Sequence, residues 1–234
     1  MMTWVFSGGA KKYAKVRPCQ TAAAAVHPAN RGEGDRPGDM SEEHPGREGQ
    51  RAAVVPEPVS APRRPTAVGF DIETTGIGED DIVTIACVWS PDKQREAFYG
   101  DDFTEVLRML DDADLIYTYN GIEFDLPRLA KHCKRDMAPW MRKTVDPLYM
   151  MKHTMGFGGC RKLNDLLVLN GFEPKSGSGL QAVQFWHNGE RDKLSSYCMD
   201  DARLTYLLCE CESVQWTQRW RVHMREARVL SFVR

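Results

Sequence analysis

Apolar and other residues alternate over Ala67–Thr74, which predicts a β-strand with Val68, Phe70 and Ile72 on one face and Gly69, Asp71 and Glu73 on the other. Further strands are expected near Ile82–Ser90, Arg95–Tyr99 and Leu115–Tyr119, with a brief one at Thr144–Val145. The first three read as an antiparallel meander. The fourth lies parallel to the first, after a helix near Phe103–Leu110. Helices follow near Leu126–Cys133, Leu148–Lys152, Lys162–Leu169, Leu180–Trp186 and Lys193–Cys211. In the last of these, Leu194, Tyr197, Cys198, Asp201, Leu204, Thr205 and Leu208 recur at three- and four-residue intervals and form one stripe. Elements in this order make an α/β fold, a mixed sheet flanked by helices.

Four acids interrupt the apolar pattern. Asp71 and Glu73, in V-G-F-D-I-E-T-T-G, leave their strand on the same face. Two carboxylates held in a desolvated cleft raise each other's pKa unless a divalent cation compensates. Oxygen-only ligands favour magnesium or manganese over zinc. Taken alone, a D-x-E is more often a strand end whose acids merely face water. Asp125, in Y-N-G-I-E-F-D-L-P-R-L, falls in the first turn of a helix beginning near Glu123, beside the buried face of Phe124, Leu126, Leu129 and Ala130. Asp201 stands inside the last apolar stripe, one turn after Tyr197, where an unpartnered carboxylate is expensive to bury. Its neighbour Asp200 is expected to point away.

Together these segments resemble the DEDD superfamily of 3′-to-5′ exonucleases on the ribonuclease H-like fold, in the subclass with Tyr four residues before the last Asp. The likeness runs from about Ala67 to about Cys211. F-D-I-E-T and Y-N-x-x-x-F-D-L-P are similar to the proofreading domain of family B DNA polymerases. The G-S-G-L-Q-A-V-Q-F-W-H-N-G run before Y-C-x-x-D resembles stand-alone YprB-like ribonuclease H-like domains. The resemblance implies two divalent ions, Mg2+ or Mn2+. Asp71, Glu73 and Asp201 would bind the first, Asp71 would bridge to a second held by Asp125, and Tyr197 would aim the attacking water. It implies single-stranded or frayed nucleic acid as substrate, with a helicase or polymerase as a further partner. Substrate contacts are expected from Thr74, Thr75, Tyr119, Asn120, Phe124 and Lys162. Two rival readings stand beside it: a silent nucleic-acid-binding scaffold and a structure-selective endonuclease.

Other constellations carry less. Lys175-Ser-Gly-Ser-Gly lacks the phosphate-loop order and reads as a connection between helices. The seven cysteines show no paired C-x-x-C spacing and read as reduced thiols. Asp146, after a strand and before Pro147, is read as a cap for the next helix rather than a further site acid.

Composition sets the boundaries. The first 64 residues, rich in Ala, Gly, Pro, Arg and Glu, cannot bury enough apolar surface to offset their ordering entropy and are expected to be a disordered tail. No acid precedes Glu33, so a targeting segment is the alternative. The nuclease domain is expected over 65–213, followed at 214–234 by a basic, aromatic extension, either a docked amphipathic element or a substrate arm. No segment is apolar enough to span a membrane, and a soluble intracellular protein is expected. The net charge of −2 does not favour a polyanion, so local basic groups must meet phosphates: Arg128, Lys131, Arg161, Lys162 and Lys175, with Phe157 and Trp186 as stacking faces.

Overall fold

The computed structural model describes residues 64–155, 162–175, 177–217 and 221–224. The expected N-terminal tail, apart from Arg64, lies outside them, as do Phe157 and Arg161.

The core is a five-stranded sheet built around β1 (Ala67–Thr74). On one side β1 pairs antiparallel with β2 (Val83–Trp89), which pairs antiparallel with β3 (Gln94–Phe98). On the other it pairs parallel with β4 (Leu115–Tyr117), which pairs parallel with β5 (Thr144–Val145), giving the order β3-β2-β1-β4-β5. This is the expected meander with a parallel fourth strand. β2 is buried over all but its last residue because helices cover both faces of the sheet, which explains its near-continuous apolar run.

One face carries α1 (Thr104–Asp112) and α2 (Asp125–Cys133), whose apolar stripes meet Val68, Phe70 and Ile72. The opposite face is covered by α5 (Leu163–Leu169), α6 (Gly179–His187) and the 20-residue α7 (Arg191–Glu210). α4 (Pro147–Met155) follows β5. α7 lies so close to β1 that a Cβ on Gly69 would sit 2.1 Å from the Ala202 carbonyl oxygen. Only glycine fits there, and the close approach brings Asp201 level with the acids of β1.

Three short elements escape the sequence pattern. α3 (Ala138–Met141) buries Trp140, and β6 (Ser213–Gln215) pairs with β7 (Arg221–His223) in a hairpin. The hairpin takes in the first part of the 214–234 extension, of which residues 218–220 and 225–234 lie outside the described ones. Val214, Trp216 and Met224 are buried in the cluster formed with α5 and α7, so Trp216 is a core residue.

Candidate metal centre

The alternation of β1 delivers Asp71 and Glu73 to the α7 face, and the register between β1 and β2 breaks between Glu73 and Thr74. Such an irregularity at a strand end re-aims the side chains beside it. From α7, Asp201 meets them: Asp71, Glu73 and Asp201 each offer a carboxylate oxygen within 4.8 Å of the others.

Asp125 arrives from the other side. β4 pairs with β1 only as far as Gly69, so beyond that point this edge of β1 needs other partners. Asp125 supplies one: its Oδ1 accepts the Ile72 backbone N–H at 3.0 Å, midway between Asp71 and Glu73 in sequence. It is 4% exposed and lies outside the tight set of three, yet close enough that its charge raises the Asp71 pKa.

Burial dominates the electrostatics. It pushes Asp71 well above the usual carboxylate range, with Asp125, Glu73 and Asp201 adding repulsion. Burial, then Asp201, lifts Glu73 to about 8. Burial raises Asp125 to about 7 against the stabilising Ile72 hydrogen bond. Asp201 is raised by burial and partly relieved by Lys175. Two oxygens, Asp71 Oδ2 and Asp201 Oδ1, are shielded from solvent and accept no hydrogen bond. Buried acceptors are rarely left so, and a cation between them would supply the missing partner. The residues therefore fit a hard divalent ion with oxygen ligands.

Tyr197 lies one turn before Asp201 and is buried, and burial raises the pKa of its hydroxyl. Lys175 joins the two. Its Nζ pairs with Asp201 Oδ2 and stands 4.7 Å from the centre of the Tyr197 ring. Its own backbone N–H donates to Asn164 Oδ1 at 3.0 Å, which anchors the connection to α5. Burial pulls the Lys175 pKa down, but Asp201 more than offsets this and the net shift is upward. The sequence marks Lys175 only as a phosphate contact within a Gly/Ser-rich connection. No spacing rule connects it to Asp201, 26 residues later.

The remaining expected residues, Lys162 apart, are engaged in internal contacts. Thr74 Oγ1 donates to the Gly76 carbonyl oxygen, and Thr75 Oγ1 donates to Asp81 Oδ1 at 2.8 Å. Tyr119 is half-buried against the α5–α7 cluster. Asn120, at φ 69°, accepts a hydrogen bond from Lys152. Phe124 lies under the Arg128 guanidinium at 3.6 Å, and Lys162 is an exposed residue preceding α5.

Arg128 and Lys131 donate to the carbonyl oxygens of Ile77, Gly78 and Glu79, so they clamp the β1–β2 loop. Trp186 is covered by Arg191 at 3.6 Å. Asp200 pairs with Arg203 at 2.6 Å and is not part of the three-carboxylate set. Asp146 caps α4 as expected, accepting from the Leu148 and Tyr149 N–H groups. The described cysteines, Cys87, Cys133, Cys198, Cys209 and Cys211, are all free thiols.

Among the described residues no helix is long and apolar enough to cross a membrane. No curated protein matches the chain. A family model, RNase_H_2 of the RNase H superfamily, matches residues 68–211, a span that runs from the start of β1 past the end of α7 and takes in all four acids, Tyr197 and Lys175. The chain belongs to the RNase H superfamily.

Proposed function

We propose that this protein is a metal-dependent 3′-to-5′ exonuclease that releases nucleoside 5′-monophosphates from single-stranded or frayed 3′ ends. Superfamily membership suggests a nuclease acting on nucleic acid, a class that generally uses divalent metals. The observation that carries the finer reading is the convergence of Asp71, Glu73 and Asp201 within 4.8 Å, two of them with an unpartnered buried oxygen, beside Asp125.

Asp71, Glu73 and Asp201 would hold one Mg2+ or Mn2+, and Asp71 with Asp125 a second. Bound divalent ions acidify water and offset the charge that develops on the leaving 3′ oxygen. The side chains do the rest. The Tyr197 hydroxyl stays protonated at neutral pH, so it orients the attacking water by hydrogen bonding and is not a base. Lys175 holds one oxygen of Asp201 and leaves the other free for the ion. Thr74, Thr75, Tyr119, Asn120, Phe124 and Lys162 are the candidate substrate contacts, and a helicase or polymerase is the class of partner that would present a 3′ end.

One observation favours a second reading. Lys175 already neutralises part of the acidic charge, as it would in a silent nucleic-acid-binding scaffold of the same fold. Matched DNA and RNA strands labelled at the 5′ end separate these readings. Exonuclease action gives a ladder that shortens from the 3′ end with Mg2+ or Mn2+ and vanishes with EDTA. Retention of intact strand in both metals supports the scaffold, and opening of a circular strand supports an endonuclease.

A further inference from the structure

Asp146 does more than cap a helix. It is 1% exposed and none of the ion pairs among the described residues involves it. Its carboxylate instead collects four backbone N–H groups. Oδ1 accepts from Leu148 at 3.0 Å and Tyr149 at 3.1 Å, the first turn of α4, and also from Asn120 at 3.0 Å. Oδ2 accepts from Ile122 at 3.1 Å. A cap needs only the first two.

The other two donors belong to the turn that launches α2. That turn is closed by its own backbone hydrogen bonds, Phe124 N–H to the Asn120 carbonyl oxygen and Leu126 N–H to the Gly121 carbonyl oxygen, both at 2.9 Å, but its first residues are tightly constrained. Asn120 has φ 69°, a left-handed conformation uncommon for a residue with a Cβ, and a Cβ on Gly121 would lie 2.0 Å from Thr118 Oγ1. A second bolt comes from the same helix: Lys152 donates to Asn120 Oδ1 at 3.2 Å and pairs with Glu123. Asp125 follows at once, and its Oδ1 must reach the Ile72 N–H to stand beside the acids of β1.

We propose that Asp146 and Lys152 are positioning residues for Asp125, fixing the turn from which it projects and so the affinity of the ion that Asp125 helps to hold. The inference rests on the two-ion reading above. Asp71, Glu73 and Asp201 sit on β1 and α7, and neither residue bonds to those elements. Loosening the turn therefore acts mainly on the ion that Asp125 helps to hold and less on the other, which it reaches only through the shared Asp71 and the Ile72 N–H.

Titration of metal-free full-length protein with Mn2+, followed by electron paramagnetic resonance, tests this without any need for turnover. The series is wild type, Asp146→Asn, Lys152→Met and, as reference, Asp125→Asn, each with a thermal melt. In Asp146→Asn the amide nitrogen that replaces one oxygen cannot accept a hydrogen bond, so contacts to the turn or to α4 are lost. Loss of partners behind a ligand typically weakens a site about tenfold or more. The expected result is two ions on wild type, and in both positioning variants one ion weakened about tenfold and the other clearly less, in the same direction as Asp125→Asn. Wild-type affinity for both ions in the variants, or equal weakening of both, overturns the inference. Should Asp146→Asn lose its cooperative melt, Lys152→Met decides the matter alone. Fewer than two ions on wild type overturns the two-ion reading itself, and the inference with it.

Discussion

Lys175 and Asp201 form a buried ion pair that uses only one of the two carboxylate oxygens: Oδ2 meets the ammonium group, while Oδ1 is shielded and without a hydrogen-bond partner. The two side chains are 15% and 6% exposed, so the pair works in a low-dielectric setting. Asp201 is thereby fixed with a free acceptor in the cleft, an arrangement suited to receiving a cation.

Replacing Lys175 with Met leaves Asp201 without its partner. Removing one member of a buried pair costs about 3–5 kcal/mol, and protonation of Asp201 will reduce this. In EDTA the variant is expected to melt well below wild type. Added Mn2+ should raise its melting temperature by more than it raises that of wild type, because the ion takes over part of the charge compensation. Equal metal stabilisation of the two proteins would show that Lys175 does not act on the acids.

The raised carboxyls predict a pH dependence with a definite sign. Glu73 moves from 4.5 to about 8 and Asp125 from 3.8 to about 7, burial being the main cause in each. Groups with elevated folded-state pKa values stabilise the fold fully below the unfolded values, and that contribution is lost as pH rises through the folded ones. Metal-free protein should therefore lose stability between about pH 4 and pH 8. Saturating Mg2+ should flatten the curve, because the ions bind the deprotonated carboxylates. Melting temperatures across this range, with and without metal, test both statements.

Gly69 tests the α7–β1 contact that carries Asp201. A Cβ there would lie 2.1 Å from the Ala202 carbonyl oxygen and 2.9 Å from the Tyr206 Cβ, neither of which can yield cheaply. Gly69→Ala is expected to cost at least about 1–3 kcal/mol by overpacking, read by urea denaturation. It should also weaken metal binding by displacing Asp201. An unchanged urea midpoint would mean that the contact is looser than it stands here.

Asp200→Asn serves as the control. Asp200 pairs with Arg203 in a partly exposed i,i+3 bridge, and such pairs are worth about 0–1 kcal/mol. The variant should match wild type in Mn2+ affinity and in rate of strand shortening. A large loss would place Asp200 in the site and undo the assignment of Asp201 as the ligand of this helix.

The order and pairing of the first four strands were legible because alternation and turn chemistry are local properties, whereas the pairing of β5 with β4 was not. Val68, Phe70 and Ile72 announce one face of β1 and, by exclusion, Asp71 and Glu73 the other. Tyr197 and Asp201 were legible for the same reason, since one helical turn fixes their common side. α3 has four residues, and β6 and β7 three each, too few to establish a period. Arg128 and Lys131 look like free phosphate contacts in sequence, yet carbonyl oxygens of the β1–β2 loop claim them, a contact across about fifty residues of chain. Lys175 and Asp146 were hidden likewise: their partners are set by tertiary packing, and nothing in the spacing announces a cation behind Asp201 or a double anchor behind Asp125.

The most direct test of the central claim compares wild type with Asp71→Asn on a single strand labelled at its 5′ end, in Mg2+, with Mn2+ binding measured on the same samples. Asp71 is the acid shared by both proposed ions, so the account predicts a ladder shortening from the 3′ end for wild type, and for the folded variant neither a ladder nor full metal occupancy. Equal shortening by both proteins, or an intact strand with metal-loaded wild type, would contradict it.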